Sequence, residues 1–210
     1  RRFQYRYSGL PNDEKPLQVL KANKFDLYAQ DEIQMGKNFR LTAGVRASLI
    51  SFENTALTNE SLLNNNVFYT EEGDSSLVIN TGTMPDSKIL WEPRLGFNWD
   101  VTGKKTTQIR GGTGVFTGRP PYVWVSNQVG NNGVLTGFLD ENKSGGSNKY
   151  GFYEDPSRFK PATLLGTVEI AAADPDYRFP QIWKSNIAVD QKLPFGFVGT
   201  AEFLYNRNIN

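Results

Sequence analysis

The run Phe25-Asp26-Leu27-Tyr28-Ala29-Gln30-Asp31-Glu32-Ile33-Gln34-Met35, the turn Gly36-Lys37-Asn38 and the run Phe39-Arg40-Leu41-Thr42-Ala43-Gly44-Val45-Arg46-Ala47-Ser48-Leu49 together decide the fold. Apolar residues take nearly every odd position on both sides of a short turn that contains glycine. Charged and polar residues take most of the even positions. Successive side chains of an extended strand point to opposite faces, so this spacing predicts a β-hairpin with one apolar and one polar face.

The pattern recurs along the chain. Candidate strands are 2–8, 23–35, 39–52, 90–101, 105–117, 182–192 and 197–206. Helical periodicity is weak throughout. Most of these strands are longer than the roughly 5–6 residues usual in globular sheets. They suit the roughly 9–11 residues that a tilted strand needs to cross a bilayer. Short turns sit at Met35-Gly36-Lys37-Asn38, Thr102-Gly103-Lys104-Lys105 and Leu193-Pro194-Phe195-Gly196. Long connections, rich in Asn, Ser, Gly and Pro, span 9–22, 53–89 and 118–181. Loops of that length are rare in compact domains unless they are functional or disordered. Short turns at one end and long loops at the other are the pattern of a bacterial outer-membrane barrel.

The two faces sharpen that expectation. On the odd face of the windows 3–7, 25–35, 39–49, 91–101, 109–115, 183–189 and 197–205 of these strands, Asp31 is the one charged residue. The even face carries Arg6, Asp26, Glu32, Arg40, Arg46, Glu92, Arg94, Asp100, Arg110, Lys184 and Glu202. A Lys or Arg facing lipid at mid-depth costs about 2–4 kcal/mol, whereas a barrel lumen is wet. Glu32, Arg40, Arg46, Glu92, Arg94, Asp100 and Arg110 are therefore read as lumen-facing ion-pair partners. Trp91, Trp99, Tyr7, Phe25, Phe197 and Tyr205 fall near strand ends, as an interfacial aromatic girdle would. Asp31 fits if a β-bulge or a place near the interface relieves it. A soluble β-sandwich alternates in the same way and stays open as an alternative, although its strands are usually shorter and its loops more even. Seven strands with open edges do not close a large barrel, and unpaired backbone is untenable in lipid. The expectation is a segment of a longer protein, in keeping with the lack of an initiator Met or signal peptide.

Composition removes other classes. The 210 residues include 23 Lys+Arg and 22 Asp+Glu, no His and no Cys. The near-neutral balance offers no field for nucleic acid. Without His or Cys there is no Ser-His-Asp or Cys-His catalytic set, no Cys/His zinc site and no disulfide. No cofactor and no enzyme activity are expected. Gly111-Gly112-Thr113-Gly114 lacks the Lys-Ser/Thr and the helix of a phosphate loop and reads as close packing inside a strand. Glu71-Glu72-Gly73-Asp74 and Asp174-Pro175-Asp176 lack EF-hand spacing and read as solvated acidic loops. Arg119-Pro120-Pro121-Tyr122-Val123-Trp124 opens the longest loop. Arg119, Tyr122 and Trp124 are types that anchor binding surfaces, so they are the candidate substrate-binding residues.

Three blocks carry a family resemblance. Phe25-Asp26-Leu27-Tyr28-Ala29-Gln30-Asp31-Glu32, followed by Phe39-Arg40-Leu41-Thr42-Ala43-Gly44-Val45-Arg46, resembles a hairpin of TonB-dependent receptor barrels. Pro93-Arg94-Leu95-Gly96-Phe97-Asn98-Trp99-Asp100 resembles the strand that soon follows it there. The run from Gln108 to Pro121 is similar to that of Oar-like receptors of Bacteroidota. The blocks keep their order and spacing over nearly the whole chain. The resemblance implies an all-β, antiparallel, up-and-down transmembrane β-barrel segment, about seven long strands of a larger, plugged barrel with long extracellular loops. Residues 1–210 would then be a partial receptor barrel, with loops 53–89 and 118–181 outside the cell. Strands 2–8, 39–52, 105–117 and 197–206 would run outward. The implied partners are outer-membrane lipid, the receptor's own plug domain and, through it, TonB–ExbB–ExbD. A surface lipoprotein is a further candidate, and the substrate is unknown. The plug and the TonB box are not in this sequence.

Overall fold

In the computed structural model, residues 2–65, 68–69, 76–119, 121–142, 153–163 and 169–210 are described. They form two compact units: Asn23–Ser51, Ser87–Pro121 and Arg178–Asn210 make one, and Arg1–Ala22, Phe52–Asp86 and Tyr122–Tyr177 make the other.

The first unit is a six-stranded antiparallel sheet. Its strands are β2 (Ala22–Met35), β3 (Phe39–Phe52), β6 (Lys88–Asp100), β7 (Thr107–Thr117), β9 (Gln181–Lys192) and β10 (Val198–Asn208), side by side in that order. The strands omitted from this run belong to the other unit. Six of the seven expected strands are therefore here, within a residue or two of their expected bounds. Register explains why one parity marks one face throughout. Phe39 lies opposite Trp99, Gly96 opposite Gly112, Ile109 opposite Val189 and Ala201 opposite Val189. Odd always meets odd, so each face is continuous across the sheet.

Short turns close β2–β3, β6–β7 and β9–β10 at one end. Gly36, Gly103 and Gly196 have positive φ there, a conformation that glycine adopts without strain. Asp100 fixes the β6–β7 turn: its carboxylate accepts from the Gly103 and Lys105 backbone N–H groups at 3.0 and 2.9 Å. β2 and β10 are the free edges, and the sheet is not closed.

The second unit holds β1 (Arg2–Ser8), α1 (Glu60–Asn65), the short pair β4 (Phe68–Tyr69) and β5 (Ser76–Leu77), α2 (Tyr122–Gly130) and β8 (Thr136–Asn142). β1 pairs with β8, so the strand expected over 2–8 exists but does not join the six-stranded sheet. The reason lies in what alternation specifies. It reports two-sidedness, and the Phe3, Tyr5, Tyr7 face of β1 finds its cover locally. Phe3 meets Phe159 edge-on at 5.3 Å, Tyr5 stacks on Tyr7 at 5.6 Å, and the Tyr7 ring lies over Gly137. Among the described residues this unit thus has its own core of Tyr7, Met84, Val125, Val129, Leu135 and Leu139. The helices α1 and α2 were not expected. They are one to three turns long, too short for a helical period to stand out in the sequence.

Candidate functional site

The odd face of the sheet is apolar and uncovered. Leu27 is 77% exposed and Trp91 58%; Phe25, Leu95, Trp99, Trp183, Ile187 and Phe203 are also exposed. A soluble protein rarely leaves so wide an apolar surface open. Polar groups on this face mostly satisfy one another. The Trp183 indole donates to Thr113 Oγ1 at 2.7 Å, and Thr113 shares a hydrogen bond with Ser185 at 2.7 Å. Aromatics mark two levels. Phe39 and Trp99 pair near the short-turn end, and Phe25, Trp91, Trp183 and Tyr205 lie toward the other end. Trp183 and Tyr205 meet edge-on at 5.9 Å. At about 3.3 Å per residue and a tilt of roughly 40°, Trp91 and Trp99 are separated by about 20 Å along the membrane normal.

The even face is mostly polar, and several of its charges are paired. Arg40 reaches Glu32 at 3.2 Å, Arg46 reaches Asp26 at 2.8 Å and Arg110 reaches Asp190 at 2.9 Å. Glu92 is buried; it accepts from Ser48 at 3.1 Å and pairs with Arg94 at 3.3 Å. The Arg94 guanidinium also lies 4.9 Å from the centre of the Phe116 ring. Ion pairs this exposed add little stability, so their value lies in keeping charges matched on one side. Asp100 differs from its neighbours, because its carboxylate caps the turn. Asp190 was missed as a candidate, although it is an even-numbered carboxylate in an expected strand.

Between the ion pairs the even face is hollowed by glycine. Gly44, Gly96 and Gly112 floor a groove of about 400 Å³, with Arg94, Lys184 and Asn186 at its sides. Gly111 and Gly114 of the same run are held by close packing. A Cβ on Gly111 would stand 2.8 Å from the Phe97 ring, and one on Gly114 would stand 3.0 Å from the Pro93 carbonyl. The extended backbone of β7 here is no phosphate loop.

In the second unit a few polar groups lie inside. Gln128 on α2 has no exposed surface. Its amide donates to the Thr81 and Thr83 carbonyls at 3.0 and 2.6 Å, and its oxygen accepts from Ala173 N–H at 2.8 Å. Asn132, equally buried, accepts from Val134 and Leu135 N–H, both at 2.9 Å. Asn59 donates to the Asn132 carbonyl at 3.0 Å. Three separate stretches of chain are thereby tied to α2. Nothing in the sequence singled out Gln128, one amide in an amide-rich loop.

The three candidate binding residues are divided between the two units. Arg119 is exposed beyond the end of β7 and belongs to the sheet unit. Tyr122 begins α2 and packs edge-on against Phe52 at 6.3 Å. Trp124 is 58% exposed on α2 beside exposed Val123. Pro120, between them, and Glu71-Glu72-Gly73-Asp74 lie outside the described residues. Asp174 closes a turn on Asp176 N–H at 2.7 Å.

Two carboxyls in this unit are held below their usual range. Arg2 donates to both Asp140 oxygens, which holds that carboxyl below the usual range. The Ser157 hydroxyl and backbone N–H do the same for Asp155.

A family model for an outer membrane beta barrel domain matches residues 7–210. No curated protein and no solved structure matches the chain.

Proposed function

The chain belongs to the outer membrane beta-barrel domain family, which places it in the bacterial outer membrane, and from that premise we propose that it forms part of the wall and extracellular loops of an Oar-like TonB-dependent receptor. The odd face meets lipid and the even face lines the lumen. The observation that carries this facing is the contrast between them: a broad exposed apolar face with Asp31 as its one charge between the aromatic levels, and an opposite face that carries several ion pairs around a glycine groove. The soluble sandwich is set aside by the family and by the uncovered apolar face.

The mechanism is capture, not catalysis. The loop unit presents Trp124 outward while Gln128 fixes the helix that carries it. Substrate then passes the polar lumenal face when a plug, moved by TonB–ExbB–ExbD, gives way. The resemblance of the hairpin 25–46 and of the strand 93–100 to receptor barrels supports the TonB-dependent part.

The test begins with a cold-against-boiled gel of the source membranes, probed with an antibody to this segment. A band several times heavier than 23.6 kDa that shifts on boiling is expected. The full-length protein should then retain the C-terminal domain of TonB on a column. A shifting band without TonB retention would leave a barrel and remove the transporter. The second reading, an adhesion barrel, is favoured by the internally cored loop unit, which suits a rigid surface module. It predicts surface binding that survives deletion of TonB.

A further inference from the structure

We infer that Asp31 is the contact point for a further strand of the same barrel wall, one that runs along the free edge of β2 and presents a lysine or arginine on its odd-side face. The inference rests on the reading that this face meets lipid.

No bulge relieves Asp31. Asp26 bonds Arg46 and Glu32 bonds Arg40 on the even face, so the alternation of β2 is intact on either side of position 31. Nor does Asp31 lie at an interface. It stands four residues before Met35, roughly 10 Å above the turn-end aromatics at ordinary strand rise and tilt, near mid-band. The β3 side offers no cation. Gly44 sits against Gln30, so the residues flanking Asp31 there are Leu41, Ala43 and Val45. Its carboxylate accepts one bond, from Glu32 N–H at 2.9 Å. An ionised carboxylate has about four acceptor sites, so most of its capacity is unused among the described residues.

The other side of β2 is a free edge. Backbone groups cannot stay unpaired in lipid, so a strand must lie there. Side chains directly opposite on such a strand come within about 5.5 Å of one another. A cation at that position is the group that converts a lipid-exposed charge into a matched pair. Lipid itself offers a carboxylate no donor at this depth.

The experiment uses the full-length protein in its own outer membrane and reads the temperature at which the fast-migrating folded band is lost. Asp31→Asn keeps the shape and the Glu32 contact and removes the charge. Asp31→Leu removes both. With a cationic partner, both variants lose the folded band several degrees below wild type. Failure of Asp31→Asn to assemble at all counts with that result, since the charge is all it lacks. An unchanged Asp31→Asn would mean a neutral donor and overturn the proposal. A raised temperature for Asp31→Leu would mean a carboxylate alone in lipid and overturn it too. Leu95→Arg, run alongside, checks the facing separately. If it is tolerated, the odd face does not meet lipid, and the proposal falls with that reading for a reason the Asp31 variants alone would not reveal.

Discussion

The sheet unit and the loop unit solve opposite problems with the same backbone pattern. In the sheet, Leu27, Leu95 and Trp183 point outward from an uncovered face, while charges pair on the other. In the loop unit, Val125, Val129 and Leu139 are inside, and buried Gln128 and Asn132 tie the chain around them. The first is built for a solvent that cannot hydrogen-bond and the second for water. β1 and β10 alternate alike, yet only β10 joins the wall, so alternation alone does not say which solvent a strand meets.

The sharpest way to break this contrast is to place the same cation in both units. Leu95→Arg should cost about 2–4 kcal/mol at mid-depth and deplete the folded, heat-modifiable band. Trp124→Arg should leave that band intact. Equal effects would erase the distinction between the two solvents. Next, Gln128→Leu would leave two carbonyls and one N–H unpaired at a buried site. Unsatisfied buried groups cost about 1–3 kcal/mol each, so proteases added to intact cells should cut within 53–87 and 118–180 while the barrel still shifts on boiling. A loop unit as resistant as wild type would show that the Gln128 network is dispensable.

A smaller effect tests a device shared by both regions. An aromatic ring covers a facing glycine in each: Phe97 over Gly111 in the sheet and Tyr7 over Gly137 in the loops. Such a ring replaces the missing side chain as a cover for the strand. Gly111→Ala should cost about 1–3 kcal/mol through overpacking, read as a lowered melting point of the band. Gly137→Ala should do the same for protease resistance of the loops. The smallest effect is acid sensitivity at Arg2–Asp140. The Asp140 carboxyl is held down in the folded state, so its contribution is present above the ordinary carboxylate pKa and is lost as pH falls through the lowered value. Loop protease resistance should decline over that acid range, and Asp140→Asn should flatten the decline.

The wall was legible because lipid imposes a rule that every strand of the sheet obeys except at Asp31. From Phe25 to Arg46 the alternation is strong enough to set both face and turn. Ion pairs such as Arg110–Asp190 join strands far apart in sequence, so parity pointed to a charged face but not to the partner. The loop unit was not legible. Gln128 and Asn132 look like ordinary polar loop residues until tertiary contacts bury them, and α2 is too short for its buried side to show as a period. The candidate trio is divided between units for a similar reason: nearness in sequence at Arg119 and Tyr122 spans a boundary between two compact units.

The distance between Trp91 and Trp99 is also an address. A typical bilayer has a hydrocarbon core of about 30 Å, and the bacterial outer membrane is thinner than average. A wall whose aromatic levels lie about 20 Å apart would leave the polar ends of β6 drowned in the thicker bilayer. Mismatch costs fractions of a kcal/mol per Å, and it recurs at every strand around the circumference. The height of the wall thus helps to decide which membrane keeps the protein, before any loop meets a ligand.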